Sequence, residues 1–107
     1  MSRLNFELAK SILGAPAFEQ DGVAIYKRDC LEAMKEIPGG IINTTITSPP
    51  YNIGKEYEEL SKLDDYLSWC EAWINQVYRI TKNNGTFWLN VGYLDVEGRG
   101  LAVPIPY

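Results

Sequence analysis

The sequence contains no histidine, only two cysteines and no long apolar run, and these absences exclude several kinds of site. Histidine-based zinc sites, Ser-His-Asp triads and Cys-His pairs need an imidazole, which these 107 residues lack. Cys30 and Cys70 form no CxxC motif and are too few for a four-thiolate metal site, so we expect two free thiols. No segment approaches the roughly 18 consecutive apolar residues that span a bilayer, so no membrane partner is expected.

Basic residues are in the minority, with 10 Lys and Arg against 14 Asp and Glu and a formal net charge of -4. Proteins that bind nucleic acid usually carry a basic patch, so a phosphate-binding surface is expected mostly outside these residues. The length suits one small domain, and a hydrophobic fraction of 46% is ordinary for a globular protein. The N-terminus shows no basic region followed by an apolar run, so we expect no signal peptide and a cytoplasmic protein.

Helix and strand patterns alternate along the chain. Helices are predicted over residues 4–13, from Asp29 to Pro38 and over 64–82, where Asn83-Asn84-Gly85 is expected to end the last one. Strands are predicted over residues 22–28, 41–47 and 86–91. Asp29 is placed to cap its helix, because Glu32 follows in capping-box spacing. This order predicts an α/β fold with a parallel sheet, which binds ligands beyond the carboxyl ends of its strands.

A rigid turn, Ser48-Pro49-Pro50-Tyr51, directly follows the second predicted strand. Each proline restricts φ to about -65° and removes a backbone donor, so the Ser48 and Pro49 carbonyls and the Ser48 hydroxyl form a cluster of acceptors beside the Tyr51 ring. Such a cluster suits a planar group with an NH2, because binding both amine hydrogens favours the pyramidal amine that can attack a methyl donor. A plain Pro-Pro turn with a packed tyrosine is the alternative that the spacing alone leaves open.

Thr47–Gly54, with the sequence Thr-Ser-Pro-Pro-Tyr-Asn-Ile-Gly, resembles motif IV of the amino-group DNA methyltransferases, which methylate cytosine N4 or adenine N6. Ile25–Leu31 is similar to the family segment that touches the adenosine of S-adenosylmethionine, and Ile80–Asn90 resembles the helix, glycine turn and strand that follow the catalytic motif. The resemblance covers roughly residues 22–93 in the family's order. It implies a partial three-layer, Rossmann-like methyltransferase fold with a parallel sheet, incomplete over residues 1–107.

The resemblance implies a catalytic and base-binding role for the turn. Ser48 and the Pro49 carbonyl would accept hydrogen bonds from the target amine, and Pro50 would keep the turn rigid. Tyr51 would stack on a base that has been flipped out of the duplex. Asn52 would help to shape the base pocket, with ordinary turn chemistry as the alternative.

The resemblance implies cofactor contacts at the start of the second predicted helix. Asp29 would bind the adenosine part of S-adenosylmethionine, with Cys30 beside it. Helix capping by Asp29 and simple helix packing by Cys30 are the alternatives. No metal ion is implied at either place.

The implied function is site-specific DNA methylation in a restriction–modification system, with S-adenosylmethionine as methyl donor and double-stranded DNA as partner. A homodimer is left open. In this family a serine at the position of Ser48 is associated mainly with cytosine N4 and an aspartate mainly with adenine N6, so cytosine N4 is expected. An inactive remnant that acts only through subunit pairing, and an amino-methyltransferase of RNA or protein, are the alternatives.

The family's glycine-rich cofactor loop and its target-recognition region are missing from this sequence, which ends in the apolar run Leu101–Tyr107. We therefore expect residues 1–107 to be the N-terminal catalytic piece of a longer enzyme. By itself this piece is expected to bind S-adenosylmethionine weakly, if at all, and to have no turnover.

Overall fold

The computed structural model describes residues 2–49, 63–90, 93–96 and 101–104, in which helices alternate with strands. The elements are α1 (Arg3–Leu13), β1 (Phe18–Gln20), β2 (Val23–Ile25), α2 (Cys30–Glu36), β3 (Ile42–Thr47), α3 (Leu63–Ile80), β4 (Thr81–Leu89), β5 (Tyr93–Val96) and β6 (Leu101–Pro104). The expected α/β class is confirmed, because β3 and β4, which precede and follow α3 in the sequence, pair in parallel. None of the described helices is long and apolar enough to cross a membrane.

Side-chain caps start the first two helices near the positions that the sequence predicts. The Ser2 hydroxyl accepts the backbone N–H of Asn5 at the start of α1. The Asp29 carboxylate accepts the backbone N–H of Glu32 at 3.0 Å, so the predicted capping role of Asp29 is confirmed. Such a bond satisfies one of the backbone donors that a helix N-terminus leaves without an intrahelical partner.

The strand predicted over residues 22–28 is confirmed in part, but it does not join the parallel pair as the alternating pattern predicts. Its observed part, β2, pairs antiparallel with β1, with Gln20 opposite Val23. Asp21 and Gly22 form the two-residue connection and have φ values of 51° and 80°. Positive φ at both positions belongs to the tight hairpin turn that Asp-Gly favours, because its twist matches that of the strands. A second antiparallel pair, β5 with β6, lies where no strand was predicted.

Helix α3 ends earlier than predicted, and β4 begins at once. The Ile80 carbonyl accepts the backbone N–H of Ile41, which precedes β3, so a neighbouring segment takes the acceptor that another helical turn would use. The β3–β4 register then shifts, with Ile42 opposite Thr81 but Thr44 opposite Thr86. Gly85 lies in this irregular stretch, where a Cβ would come within 2.7 Å of the Asn43 carbonyl oxygen. Asn83-Asn84-Gly85 therefore lies within a strand and does not end the helix.

One face of α3 forms the core. Tyr66, Cys70, Trp73 and Val77 recur at helical spacing and are buried, and Leu31, Met34 and Leu89 pack around them. The helix thus joins α2 to the face of β4 on which Leu89 lies.

The opposite face of the parallel pair is exposed within the described residues. Ile46 and Trp88 lie opposite each other in the register and are 78% and 64% exposed. Their neighbours along the strands, Phe87 and Leu89, contact α3, as the alternation of side chains in a strand requires. The described residues therefore show helices on one face of this pair, and the three-layer, Rossmann-like arrangement stays a prediction.

Candidate active site at the ends of the parallel strands

The predicted turn begins where β3 ends, beside the end of β4. The ladder continues to the last residues of both strands, with Thr47 opposite Leu89 and the Asn90 backbone N–H donating to the Thr47 carbonyl at 3.0 Å. Ser48 therefore follows the last paired residue of its strand, at the carboxyl edge of the parallel pair. This is the edge at which open α/β sheets bind ligands.

Ser48 and Asn90 meet at this edge through their side chains. The Asn90 amide Nδ2 donates a hydrogen bond of 3.1 Å to the Ser48 hydroxyl, and both residues are exposed. The sequence pattern predicts no separate role for Asn90. A signal was present, because Asn90 lies near the end of the strand predicted over residues 86–91, and parallel strands end at a common edge.

A mainly apolar cavity of about 380 Å³ lies beside the turn. Its lining combines the turn with helices α2 and α3 and includes Ser48, Pro49, Cys30, Trp69 and Trp73. Pro49 is buried, and so are Trp73 and Val77, which lie one helical turn apart on α3. The structure thus places three residues with predicted roles, Ser48, Pro49 and Cys30, around one space.

A second cavity, of about 390 Å³, lies at the same edge. Its lining includes Ile46, Trp88, Ser48 and Asn90. Ile46 and Ser48 line both cavities, whereas Trp73 lines only the first, and Trp88 and Asn90 line only the second. Two groups could therefore approach the Ser48 hydroxyl from different directions.

Asp29 and Cys30 lie at the start of α2, and only Cys30 is among the residues that line the first cavity. The Asp29 carboxylate is engaged as the helix cap, one residue before the cavity-lining Cys30. Both side chains are exposed. The structure therefore confirms the capping role of Asp29 and brings Cys30 next to the turn, while a cofactor contact by either residue stays a prediction. Pro50, Tyr51 and Asn52 lie outside the described residues, and their predicted roles stay predictions as well.

The two cysteines have different surroundings. Cys30 is exposed and lines the cavity, whereas Cys70 is 1% exposed in the core. Burial raises the pKa of the Cys70 thiol, and contacts with Tyr66 and Trp73 offset part of this effect. A thiol with a raised pKa holds less thiolate at neutral pH, so Cys70 is suited to packing and not to nucleophilic chemistry.

Comparison with known proteins identifies the family to which this chain belongs. The family model for N6 and N4 methyltransferases, described as "DNA methylase", matches residues 42–102, which include β3, the turn, α3 and β4. The chain therefore belongs to the amino-group DNA methylase family. No solved structure matches the chain.

Individual relatives support the same family. The chain is 52% identical over 98 residues to Type II methyltransferase M.ScaI from Streptomyces caespitosus, which covers 92% of the chain and 32% of the relative. It is 33% identical over 78 residues to Type II methyltransferase M.BamHI from Bacillus amyloliquefaciens (69% of the chain, 18% of the relative). It is 28% identical over 92 residues to DNA adenine methyltransferase YhdJ from Escherichia coli (78% and 31%). The chain spans about a third or less of the length of these relatives.

Proposed function

We propose that residues 1–107 form the catalytic-turn part of a site-specific DNA methyltransferase that acts in the cytoplasm as half of a restriction–modification pair. The enzyme transfers a methyl group from S-adenosylmethionine to the exocyclic amine of a flipped base. The observation that carries this proposal is the meeting of the Ser48 hydroxyl, the Asn90 amide and two cavities at the carboxyl edge of a parallel strand pair. The Type II designation of the Streptomyces and Bacillus relatives supports the restriction–modification setting.

The proposed mechanism depends on hydrogen-bond acceptors and positioning. An exocyclic base amine is a weak nucleophile because its lone pair is delocalised into the ring. The Ser48 hydroxyl and the Pro49 carbonyl accept its two N–H bonds, so the nitrogen becomes pyramidal and its lone pair localises. When bound, S-adenosylmethionine would supply the methyl group with its sulfur as the leaving group, and the methylated amine would release one proton to water. Orientation at this turn supplies most of the rate.

The two cavities give the reactants separate approaches. We assign the methyl donor to the apolar cavity that Cys30 lines, next to the Asp29 cap, in keeping with the roles predicted for these residues. The target base then approaches Ser48 from the edge that Asn90 borders, where Tyr51 is proposed to stack on it. Double-stranded DNA is the partner of the whole enzyme.

Cytosine N4 is the proposed target atom. The support is the serine at position 48, which the family associates mainly with cytosine. The Escherichia coli relative is named as an adenine methyltransferase, so adenine N6 is the competing outcome. Digestion of the methylated DNA and identification of the modified nucleoside by mass spectrometry separates the two: N4-methylcytosine supports the proposal, and N6-methyladenine overturns its choice of base.

The function is tested in a chimera in which residues 1–107 replace the matched segment of the Streptomyces methyltransferase. We expect methyl transfer from labelled S-adenosylmethionine to DNA. Ser48→Ala should lower kcat by about a hundredfold while cofactor affinity stays nearly unchanged, because an acceptor to the transition state is lost. Tyr51→Ala should also lower the rate strongly.

The matched control is Ser68→Ala, which removes an exposed hydroxyl of α3 that lines neither cavity and should leave the rate unchanged. Equal transfer by the parent, Ser48→Ala and Tyr51→Ala would overturn the assignment of the turn. Transfer to RNA or protein, with none to DNA, would overturn the DNA assignment. A folded chimera that methylates none of these would support the inactive remnant.

A further inference from the structure

We propose that Asn90 is a positioning residue that holds the Ser48 hydroxyl in its reactive orientation. This inference rests on the proposed function, since it concerns the same site. Asn90 lies 42 residues from Ser48 in the sequence and meets it only because β3 and β4 pair in parallel. Its effect on methyl transfer is therefore expected to pass through Ser48.

The position of Asn90 is fixed by the strand ladder. Its backbone N–H donates to the Thr47 carbonyl at 3.0 Å, so the residue is anchored directly beside the residue that precedes Ser48. From this anchor its side-chain amide reaches the Ser48 oxygen at 3.1 Å. Both bonds link the same two strand ends, so the backbone keeps the Asn90 amide within reach of the hydroxyl.

Ser48 is a side chain whose orientation a hydrogen bond from Asn90 can select. It is exposed, and a serine hydroxyl has three staggered positions about χ1. Donation by Asn90 favours the rotamer in which the oxygen faces the end of β4. A hydroxyl oxygen has two acceptor sites, so a hydrogen bond from Asn90 does not by itself exclude one from an N–H of the target amine.

The chemistry of the amide matters as well as its shape. Aspartate has nearly the same size as asparagine but carries no N–H to donate. At position 90 it would accept from the Ser48 hydroxyl, which reverses the bond and adds a negative charge beside the methyl-transfer site. Asn90→Asp therefore separates the hydrogen-bond donor from the packing of the side chain, and Asn90→Ala removes both.

The experiment measures kcat and KM for DNA in the chimera described above. Asn90→Ala and Asn90→Asp should each lower kcat by about tenfold with little change in KM, since neither side chain can donate the hydrogen bond that orients the Ser48 oxygen. In the double variant Ser48→Ala with Asn90→Ala, kcat should be no lower than in Ser48→Ala alone, because Asn90 acts through the hydroxyl. The matched control is Asn84→Ala, an exposed asparagine of β4 away from the turn, which should leave kcat unchanged.

A second measurement uses the 107-residue chain and needs no activity. The side-chain amide resonances of Asn90 in an NMR spectrum should shift in Ser48→Ala and stay in place in Ser68→Ala. Unshifted resonances in Ser48→Ala would overturn the inference.

The two proposals can fail separately. If the parent chimera is active and Ser48→Ala is impaired, an unchanged kcat in both Asn90 variants overturns only the role of Asn90. A double variant about tenfold slower than Ser48→Ala also overturns it, because Asn90 then acts independently. A folded parent that methylates no DNA overturns the proposed function and this inference with it.

Discussion

At the scale of single residues, the ends of β3 and β4 determine which side chains can act together. The motif indicates Ser48 and Pro49, and the parallel register adds Asn90 by placing it next to Ser48. Cys30 joins them because α2 packs against α3 near the turn, so that its side chain lines the same cavity. Cys70, in contrast, is enclosed in the core with Trp73 and Tyr66.

The two thiols should differ in reactivity. We expect maleimide to label Cys30 and to spare Cys70 at neutral pH, because Cys70 is buried and burial raises its pKa. Peptide mapping by mass spectrometry checks the site of labelling, and the denatured chain should be labelled at both residues. In the active chimera, saturating S-adenosylmethionine should slow the labelling of Cys30. An unchanged rate would contradict the cofactor assignment of the cavity.

The raised pKa of Cys70 also predicts a change of stability with pH. The unfolded chain releases the Cys70 thiol proton at a lower pH than the folded chain does. The contribution of the protonated thiol to the free energy of unfolding is therefore complete below the ordinary thiol pKa and is lost as pH rises through the raised value. Urea midpoints measured from about pH 7 to about pH 10 should therefore fall less steeply in Cys70→Ala than in the parent. Equal slopes of midpoint against pH would contradict the prediction. The slopes are compared, and not the midpoints themselves, because Cys70→Ala also leaves a cavity that lowers the midpoint.

At the scale of elements, helix α2 combines two predicted tasks at its first residues. The carboxylate of Asp29 caps the helix, and the helix presents Cys30 to the cavity beside the turn. A cap needs only a side-chain acceptor, which asparagine provides as well as aspartate. A contact with the cofactor through a negative charge would need aspartate itself. The two tasks can therefore be separated by substitution.

Asp29→Ala should lower the free energy of unfolding by about 1 kcal/mol, because the Glu32 N–H loses its acceptor. Asp29→Asn should stay close to the parent, and urea unfolding checks both. If Asp29 also binds the cofactor, Asp29→Asn in the chimera should raise the dissociation constant of S-adenosylmethionine without loss of stability. Unchanged cofactor binding in this variant would leave Asp29 with capping alone.

The elements differ in how well local sequence predicts them. Helix α3 was predicted almost to its ends because its apolar residues recur at helical spacing, and β3 because its β-branched residues lie between turn signals. The strands β1 and β2 have only three residues each, and the signal that could have found them is Asp21-Gly22. The end of α3 depends on the Ile41 N–H, which comes from a distant part of the chain.

At the scale of the whole molecule, stability depends mainly on the packing of α3. Trp73 is 5% exposed and meets the Phe87 ring edge-on at 6.1 Å, which joins the helix to β4. Trp73→Ala should cost about 3 to 5 kcal/mol, enough to unfold much of a small domain. Tyr78→Ala, on the same helix at 84% exposure, should change stability by no more than about 0.5 kcal/mol. Thermal unfolding distinguishes them, and similar losses would contradict this account of the core.

Cofactor binding is expected to need more than these residues. The glycine-rich loop of the family is not among residues 1–107, and the chain covers 32% of its Streptomyces relative. Calorimetry should therefore detect weak binding of S-adenosylmethionine, or none, to the 107-residue chain and clear binding to the chimera. Micromolar binding by the chain alone would contradict the prediction.

The sequence by itself determined the family, the α/β class, the Asp29 cap and the position of the Ser-Pro-Pro motif after β3, because a proline-rich motif, a capping residue and helical spacing act over a few neighbouring residues. Only the tertiary structure decided that α3 stops at Ile80 and that Asn90 meets Ser48. Each of these depends on a hydrogen bond or a register whose partner the local pattern does not specify. The site is therefore recognised by its turn and completed by strand pairing.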